Sequence, residues 1–291
     1  MPELPEVETI RRGLDPILVG SKILSVTLGR KNLRFPFPEE FSNRITDEII
    51  VGVGRRAKYL LFYLSHNKTI LSHLGMSGSW RAESNFPRKE PSIVQRSVAH
   101  DHCTVVIQTE NNEIFRLIYN DSRRFGFMVL ADSMKLNEHP FLKNLGVEPI
   151  GDAFSGAYLQ RTFVNKKVSL KTALLDQSVI AGLGNIYVCE ALWRSCLSPQ
   201  RSVSTLALKD ANVCHVVEDL AQNIREVLFD AILSGGSSLR DYIHADGSLG
   251  YFQQYFSVYK REGKECLRCG TLIVRIVQSG RSSFYCPQCQ K

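Results

Sequence analysis

Tyr59-Leu60-Leu61-Phe62-Tyr63-Leu64 is followed, after Ser65-His66-Asn67-Lys68, by Thr69-Ile70-Leu71-Ser72-His73-Leu74. These are two apolar runs of strand length with no room for a helix between them. Working outward, further short runs of the same kind occupy 23–28, 49–53, 104–108, 114–119 and 127–130, separated by turn residues. Strands that follow one another without intervening helices argue for an antiparallel sandwich or barrel and against a doubly wound parallel sheet. Residues 83–96 are polar and contain proline, which reads as a long surface loop. The stretch 136–156 carries Pro140, Gly146, Pro149, Gly151 and Gly156, and beyond it the pattern turns helical. Val213, Val216, Leu220, Ile224, Val227 and Ala231 follow a helical stripe that ends at Gly235-Gly236. A β domain therefore precedes an α domain.

At 291 residues the chain can bury a core and is long enough for two domains. With 44% hydrophobic and 22% charged residues it is not a disordered chain, and it has neither an apolar run of membrane-spanning length nor a secretory h-region. The net charge of +7 points to an anionic partner, most simply nucleic acid, although general solubility would account for it too. Of eight cysteines, four are paired at the C-terminus and Cys103, Cys189, Cys196 and Cys214 are scattered, which fits a reducing compartment.

The first residues, Met1-Pro2-Glu3-Leu4-Pro5-Glu6-Val7-Glu8-Thr9, open an amphipathic helix. Leu4, Val7, Ile10 and Leu14 share a stripe, Pro5 suits the first turn, and Arg11 and Arg12 precede Gly13, giving a short helix. Removal of Met1 would expose Pro2 as a secondary amine beside Glu3 and Glu6; with Met1 attached its nitrogen is an inert amide. An α-amino group titrates near pH 8 against about 10.4 for lysine, so far more of it is neutral and nucleophilic at pH 7. Glu3 and Glu6 share a helix face, so one carboxyl could act as acid or base while the other accepts the free N–H groups of the helix start. Taken alone the pattern also fits an ordinary charged helix opening.

Cys266-Leu267-Arg268-Cys269 and Cys286-Pro287-Gln288-Cys289 stand sixteen residues apart, the spacing of two knuckles closing on one tetrahedral zinc. Residues 271–277 and 282–285 read as a hairpin between them, with Gln278-Ser279-Gly280-Arg281 at the turn. Four thiolates leave no open position, so the Zn2+ is structural. Loaded with metal, 264–291 keeps a net charge of +2. Arg281 at the tip is either a solvated arginine or a phosphate probe.

Gly182-Leu183-Gly184-Asn185 precedes a helical run at 186–193 and follows another at 170–177, so Asn185 is placed as an N-cap with N–H groups free for phosphate; a plain helix cap reads equally well. It is no dinucleotide motif, because the third glycine is missing. Lys166, Lys167 and Lys171 would add phosphate contacts or form a solvated face. Arg55-Arg56-Ala57-Lys58 places three cations ahead of an apolar strand. His73-Leu74-Gly75-Met76-Ser77-Gly78 and Arg123-Arg124-Phe125-Gly126 read as loops whose Met76 and Phe125 either wedge between bases or pack into the core. His100-Asp101-His102 fits hydrogen-bonding or phosphate contact better than a metal.

Together these motifs resemble the formamidopyrimidine-DNA glycosylases of base-excision repair, over essentially the whole chain. The resemblance implies an α+β multidomain fold: an N-terminal helix with an antiparallel β-sandwich (1–135), a hinge (136–155), a helix-two-turn-helix domain (156–236), a lesion-covering loop and connection (237–263) and a zinc-ribbon hairpin (264–291). It implies a bifunctional glycosylase and abasic-site lyase acting on oxidised purines, 8-oxoguanine and formamidopyrimidines, in damaged double-stranded DNA. In that family the residue at Pro2 attacks C1′ and forms a Schiff base, Glu3 protonates the opening sugar, and Glu6 supports the lesion side. Lys58 serves β-elimination and Arg281 δ-elimination. Met76, Arg123 and Phe125 fill the duplex, and His73, His100, Lys166 and Asn185 contact the backbone. Ser122 departs from the proline usual before the two arginines. The expected protein is a monomer in the bacterial cytosol, with one Zn2+, no nucleotide cofactor and no membrane partner. The rivals are an endonuclease VIII-type enzyme for oxidised pyrimidines and a non-catalytic zinc-ribbon DNA-binding protein.

Overall fold

A computed structural model describes residues 2–84, 97–207, 210–237 and 250–291. The chain divides into two compact units, Met1–Lys143 with Ser234–Gln253, and Asn144–Leu233 with Gln254–Lys291. The first unit thus runs past the expected boundary at 135 and takes in part of the segment expected at 237–263. Of that expected loop, 238–249 lie outside the described residues, as do Met1 and most of the expected 83–96 loop. No helix among the described residues is long and apolar enough to cross a membrane.

In the first unit, α1 (Leu4–Leu18) and β1 (Lys22–Leu28) are followed by a single helical turn, α2 (Phe41–Ile45). Next come β2 (Ile50–Arg56), β3 (Tyr59–Leu64), β4 (Lys68–His73) and β5 (Ser79–Ser84), then β6 (Asp101–Gln108), β7 (Ile114–Asn120) and β8 (Phe127–Asp132). They form two four-stranded sheets, in the orders β1-β6-β7-β5 and β2-β3-β4-β8, with every pairing antiparallel. This is the expected sandwich, with one strand more than the sequence disclosed. β5 escaped because Arg81 and Glu83 give it a polar outer face, while its inner face holds only Trp80 and Ala82 between serines. Across the outer face Glu83 stands opposite Arg116 and bonds to it at 2.6 Å, and Arg81 holds Asp101 through two bonds of 2.8 and 2.7 Å. Glu83 and Ser84 are therefore strand, where the expected loop had begun.

Helix α1 is longer than predicted: it passes Gly13 and Pro16 and ends at Leu18. Its stripe of Val7, Ile10, Leu14 and Leu18 shares one core with Ile23, Val53, Leu60, Trp80, Ile107, Leu117 and Met128, drawn from both sheets. Each such side chain contributes roughly 2 kcal/mol of burial, more than the penalty of one exposed helix glycine. Tertiary packing thus carries the helix through a residue that would stop it alone, and its N-terminus is pinned to the edge of the sandwich.

The second unit holds α3 (Gly156–Phe163), α4 (Leu170–Leu175), α5 (Asn185–Arg194) and α6 (Ala211–Leu233), and a hairpin of β9 (Val274–Gln278) and β10 (Arg281–Tyr285). Ser155 and Ser169 cap α3 and α4, accepting from the N–H groups of Tyr158 and Thr172. Between α4 and α5, Gln177 closes the turn: its Oε1 accepts from Gly182 N (2.9 Å) and its Nε2 donates to Leu183 O (2.8 Å). The α6 stripe of Val217, Leu220, Ala221, Ile224, Val227, Leu228 and Ala231 is fully buried.

Candidate active site and nucleic-acid interface

Pro2, Glu3, Glu6, Lys58, His73, Met76, His100, Arg123 and Phe125 belong to the first unit. Lys166, Asn185, Arg281 and the four C-terminal cysteines belong to the second.

Pro2 is buried immediately before α1, and Glu3 is the helix N-cap with extended backbone. Glu3 and Glu6 close a capping box: the Glu3 side chain accepts the Glu6 N–H, and Glu6 Oε2 accepts the Glu3 N–H at 2.7 Å. Glu6 Oε1 accepts from Ser237 N at 2.8 Å, so both Glu6 oxygens receive backbone donors. Both carboxyls thus accept main-chain N–H groups, Glu3 one from Glu6 and Glu6 one from Glu3 and one from Ser237. Ser237 also forms an isolated antiparallel bridge with Tyr251, so Glu6 holds a residue that pairs with Tyr251. Glu8, unnoticed in the sequence, ties α1 to β2: it accepts from Arg11, Arg12 and Arg55, the last at 3.1 Å. Although burial raises its pKa, the three guanidinium groups outweigh that and hold it below the usual carboxylate range.

Arg55 is accordingly engaged with Glu8 and the Ala57 carbonyl. Arg56 pairs with Tyr59 across the hairpin, so Ala57-Lys58 forms a two-residue turn with Ala57 at φ +52°. This turn delivers Lys58, only 6% exposed. Burial, then the charges of Lys58 and Arg34, push His73 down to about 4, so its ring is neutral at pH 7. Nδ1 of His73 accepts from Gly75 N at 3.0 Å, which places the ring proton on Nε2 as a donor.

The two glycine loops are in backbone contact. Gly75 has φ +62°, and a Cβ there would lie 2.3 Å from the Phe125 carbonyl carbon; a Cβ on Gly126 would lie 1.7 Å from Tyr119 Oη. Only glycine permits this approach. Phe125 is 43% exposed, with the Arg123 guanidinium 4.9 Å from its ring centre, while Met76 is half-buried. The choice between core and surface therefore falls to surface for Phe125. A further basic element, missed in the sequence, joins them: Arg34 N donates to Gly126 O (3.1 Å), and Asn32, Leu33, Arg34, Arg123, Arg124 and Phe125 line one open groove. Its only sequence signal was the run Arg30-Lys31-Asn32-Leu33-Arg34-Phe35. His100 is half-buried in a 3-10 turn leading into β6; Asp101 is held by Arg81 and Asn120, and His102 Nε2 bonds to Asp121 O. Hydrogen bonding, as expected, accounts for the Asp101 and His102 side chains.

In the second unit Asn185 is not the N-cap. Gly184 takes that position, and Asn185 is the first helical residue, donating through Nδ2 to Ser282 O at 3.0 Å. Its Oδ1 is buried without a hydrogen-bond partner among the described residues. Lys171 fits neither reading given to it: it is 1% exposed and donates to Ser282 O (2.8 Å) and Ser283 Oγ (2.7 Å). Lys166 is half-buried and 3.9 Å from Asp176. Both Lys171 and Asn185 thus grip the strand beside Arg281. The turn is tighter than predicted: Gln278 and Arg281 pair, leaving Ser279-Gly280 with φ +48° and +73°. Arg281 is exposed at the first position of β10.

The Sγ atoms of Cys266, Cys269, Cys286 and Cys289 lie within 4.8 Å of one another, with Cys266–Cys289 at 4.0 Å and Cys269–Cys286 at 3.5 Å. A tetrahedral ion with bonds of about 2.3 Å sets its sulfurs about 3.8 Å apart, so the four residues fit zinc. The finger packs on α5 through Val258, Ile273, Phe284 and Cys189. Glu190 of α5 accepts from Ser257, Val258 and Tyr259 N–H groups at 2.8–3.0 Å, fixing the approach to the finger.

Three family profiles match in order: the formamidopyrimidine-DNA glycosylase N-terminal domain over residues 1–128, the H2TH domain of the same enzymes over 145–242, and the zinc finger found in FPG and IleRS over 263–291. The formamidopyrimidine-DNA glycosylase of Bartonella bacilliformis is 70% identical over all of both chains. Among solved structures, wild-type Lactococcus lactis Fpg (MutM) with DNA containing N7-benzyl-Fapy-dG is similar at TM-score 0.83, 34% identity and full coverage of both chains. The Lactococcus lactis Fpg complex with abasic-site DNA is similar at TM-score 0.83, 33% identity and 99% coverage of each.

Proposed function

This chain belongs to the formamidopyrimidine-DNA glycosylase family, and from that premise we propose that it excises oxidised purines from damaged double-stranded DNA and then nicks the strand. The observation that supports the residue assignment is the Pro2–Glu3–Glu6 arrangement, in which Glu6 gives both oxygens to main chain, one of them to Ser237, and the buried Glu3 carboxyl adjoins the nucleophile. With Met1 removed, the Pro2 amine attacks C1′ as the glycosidic bond breaks, and Glu3 protonates the opening sugar oxygen. Cleavage of the C1′–O4′ bond, with O4′ keeping that proton as a hydroxyl, leaves the iminium of a Schiff base, and the departing base carries away the proton released by the amine. Lys58 assists loss of the 3′ phosphate by β-elimination and Arg281 loss of the 5′ phosphate by δ-elimination, leaving a gap flanked by phosphates. Met76, Arg123 and Phe125 fill the vacated duplex, and His73, through its neutral ring, contacts the backbone together with His100, Lys166 and Asn185. The ribbon's zinc is structural. In this reading residues 1–135 carry the base-excision chemistry, 156–236 hold DNA backbone and 237–263 cover the extruded base. The enzyme acts as a monomer on DNA in the bacterial cytosol.

The test is borohydride trapping on an 8-oxoguanine duplex with protein verified to begin at Pro2, beside a form that retains Met1. A covalent adduct mapped to Pro2 and absent when Met1 remains is expected. No adduct from zinc-loaded, DNA-binding protein, on this duplex or an abasic one, overturns the reading in favour of a non-catalytic binder. Faster cleavage of a thymine-glycol duplex than of the 8-oxoguanine duplex would transfer it to the endonuclease VIII type.

A further inference from the structure

The loops bearing Met76, Arg123 and Phe125 converge on a side chain to which the proposed chemistry assigns no task. Asp121 follows β7 and is completely buried. Its Oδ1 accepts from Ser77 Oγ, in the Met76 loop, and from Arg123 N at 3.3 Å. Arg123 N also donates to Ser77 Oγ at 3.0 Å. The second oxygen, Oδ2, accepts from Gly126 N at 2.9 Å and lies 3.3 Å from Tyr119 Oη, whose single proton is shared with His73 O at 3.5 Å. The main chain of Asp121 continues the pattern: its N donates to His100 O (3.0 Å) and its O bonds to His102 Nε2 (2.9 Å).

Each first-unit residue assigned to DNA contact is thus bonded to Asp121 or Tyr119, or lies in a loop tied to Asp121. The partners on the Arg123–Phe125 loop are backbone N–H groups at its two ends, so the carboxylate sets the path of the main chain and leaves the exposed side chains free to meet a ligand. A buried carboxylate is tolerated when several donors share its charge, and here hydroxyl and amide donors from two loops do so. Gly75 and Gly126 bring the same loops into backbone contact, which leaves little room for either to move alone.

We infer that Asp121 is a positioning residue that locks the Met76 loop and the Arg123–Phe125 loop into one rigid wedge, so that both enter the duplex together when the lesion is extruded. This rests on the reading above that those side chains fill the duplex. Asp121→Asn keeps the shape but turns an amide donor towards a hydroxyl or N–H donor, which uncouples the loops.

The experiment compares wild type, Asp121→Asn and Ser77→Ala in two assays: single-turnover excision from an 8-oxoguanine duplex, and borohydride trapping on a single-stranded abasic oligonucleotide, where no base leaves a duplex. Asp121→Asn is expected to slow duplex excision by about tenfold or more through misplacement of the wedge, with trapping unchanged relative to wild type. Ser77→Ala, which removes one tie, should show a smaller loss confined to the duplex assay. On a Met76→Ala/Phe125→Ala background Asp121→Asn should add no further loss, because the wedge through which it acts is gone. Undiminished duplex excision, an equal fall in both assays, or a full additional loss on that background each overturns the inference. If Asp121→Asn does not fold, Ser77→Ala carries the same comparison, and equal excision with wild type overturns it. Failure of the wild type itself to excise 8-oxoguanine would refute the proposed function instead.

Discussion

Glu3 and Glu6 are three residues apart on one helix face and chemically alike, yet their surroundings divide them. Glu6 receives two backbone donors, whereas Glu3 caps the helix next to the candidate nucleophile. Glu3→Gln is therefore expected to lower 8-oxoguanine excision by about 10²-fold or more, the usual span for loss of a general acid, while Schiff-base trapping on a pre-formed abasic site persists. Equal loss of both activities would remove Glu3 from the acid role. At His73 the prediction concerns pH. Its folded pKa is about 4, below the ordinary value near 6.5, so the unfolded chain binds the extra proton first. Its contribution to stability is complete above about pH 6.5 and is lost as pH falls towards about 4. Urea titrations across that window should show His73→Gln less sensitive to pH than wild type; parallel curves would mean the ring is not held neutral. The motif around His73 was visible in the sequence, but its protonation was not, because burial and the charges of Lys58 and Arg34 come from other elements.

Among the elements, the glycine loops depend most on close approach. Gly126→Ala should destabilise the first unit by about 1–3 kcal/mol, since its Cβ would collide with Tyr119 Oη and the His73 carbonyl. Urea unfolding measures it, and an unchanged midpoint at constant m would show that the loops relax freely. The ribbon depends on metal in a different way. A 28-residue segment has too little core to order itself, so chelation should disorder the hairpin that presents Arg281 and lower DNA affinity without altering the Pro2 amine. Anisotropy with abasic DNA, repeated after verified zinc loss, decides this, and unchanged affinity would refute it. Both cysteine knuckles were legible because ligand spacing is local. β5 was not, because its polar outer face finds partners in Arg116 and Asp101 that become neighbours only when the sheet assembles.

At the level of the whole molecule the net charge of +7 is a statement about salt. Each phosphate neutralised on binding contributes about 0.9 to the slope of log K against log salt, or about 3.5-fold in affinity per contact between 50 and 200 mM. A slope of several units is expected, reduced by about one in Lys166→Ala; a flat affinity would exclude a phosphate-led complex. By itself the sequence determined what depends on neighbours along the chain: strand-length apolar runs, the stripe of α1, the four-cysteine set and an ordered series of motifs that resembles one family. Tertiary structure alone decided that Glu6 takes a second backbone donor from Ser237, that α1 continues past Gly13, that Lys171 is buried against β10, and that Asp121 gathers two distant loops. The physical reason is that hydrogen-bond satisfaction and burial are settled between residues far apart in sequence. For Asp121 the decisive partner, Ser77, lies forty-four positions away, a separation that no local pattern encodes.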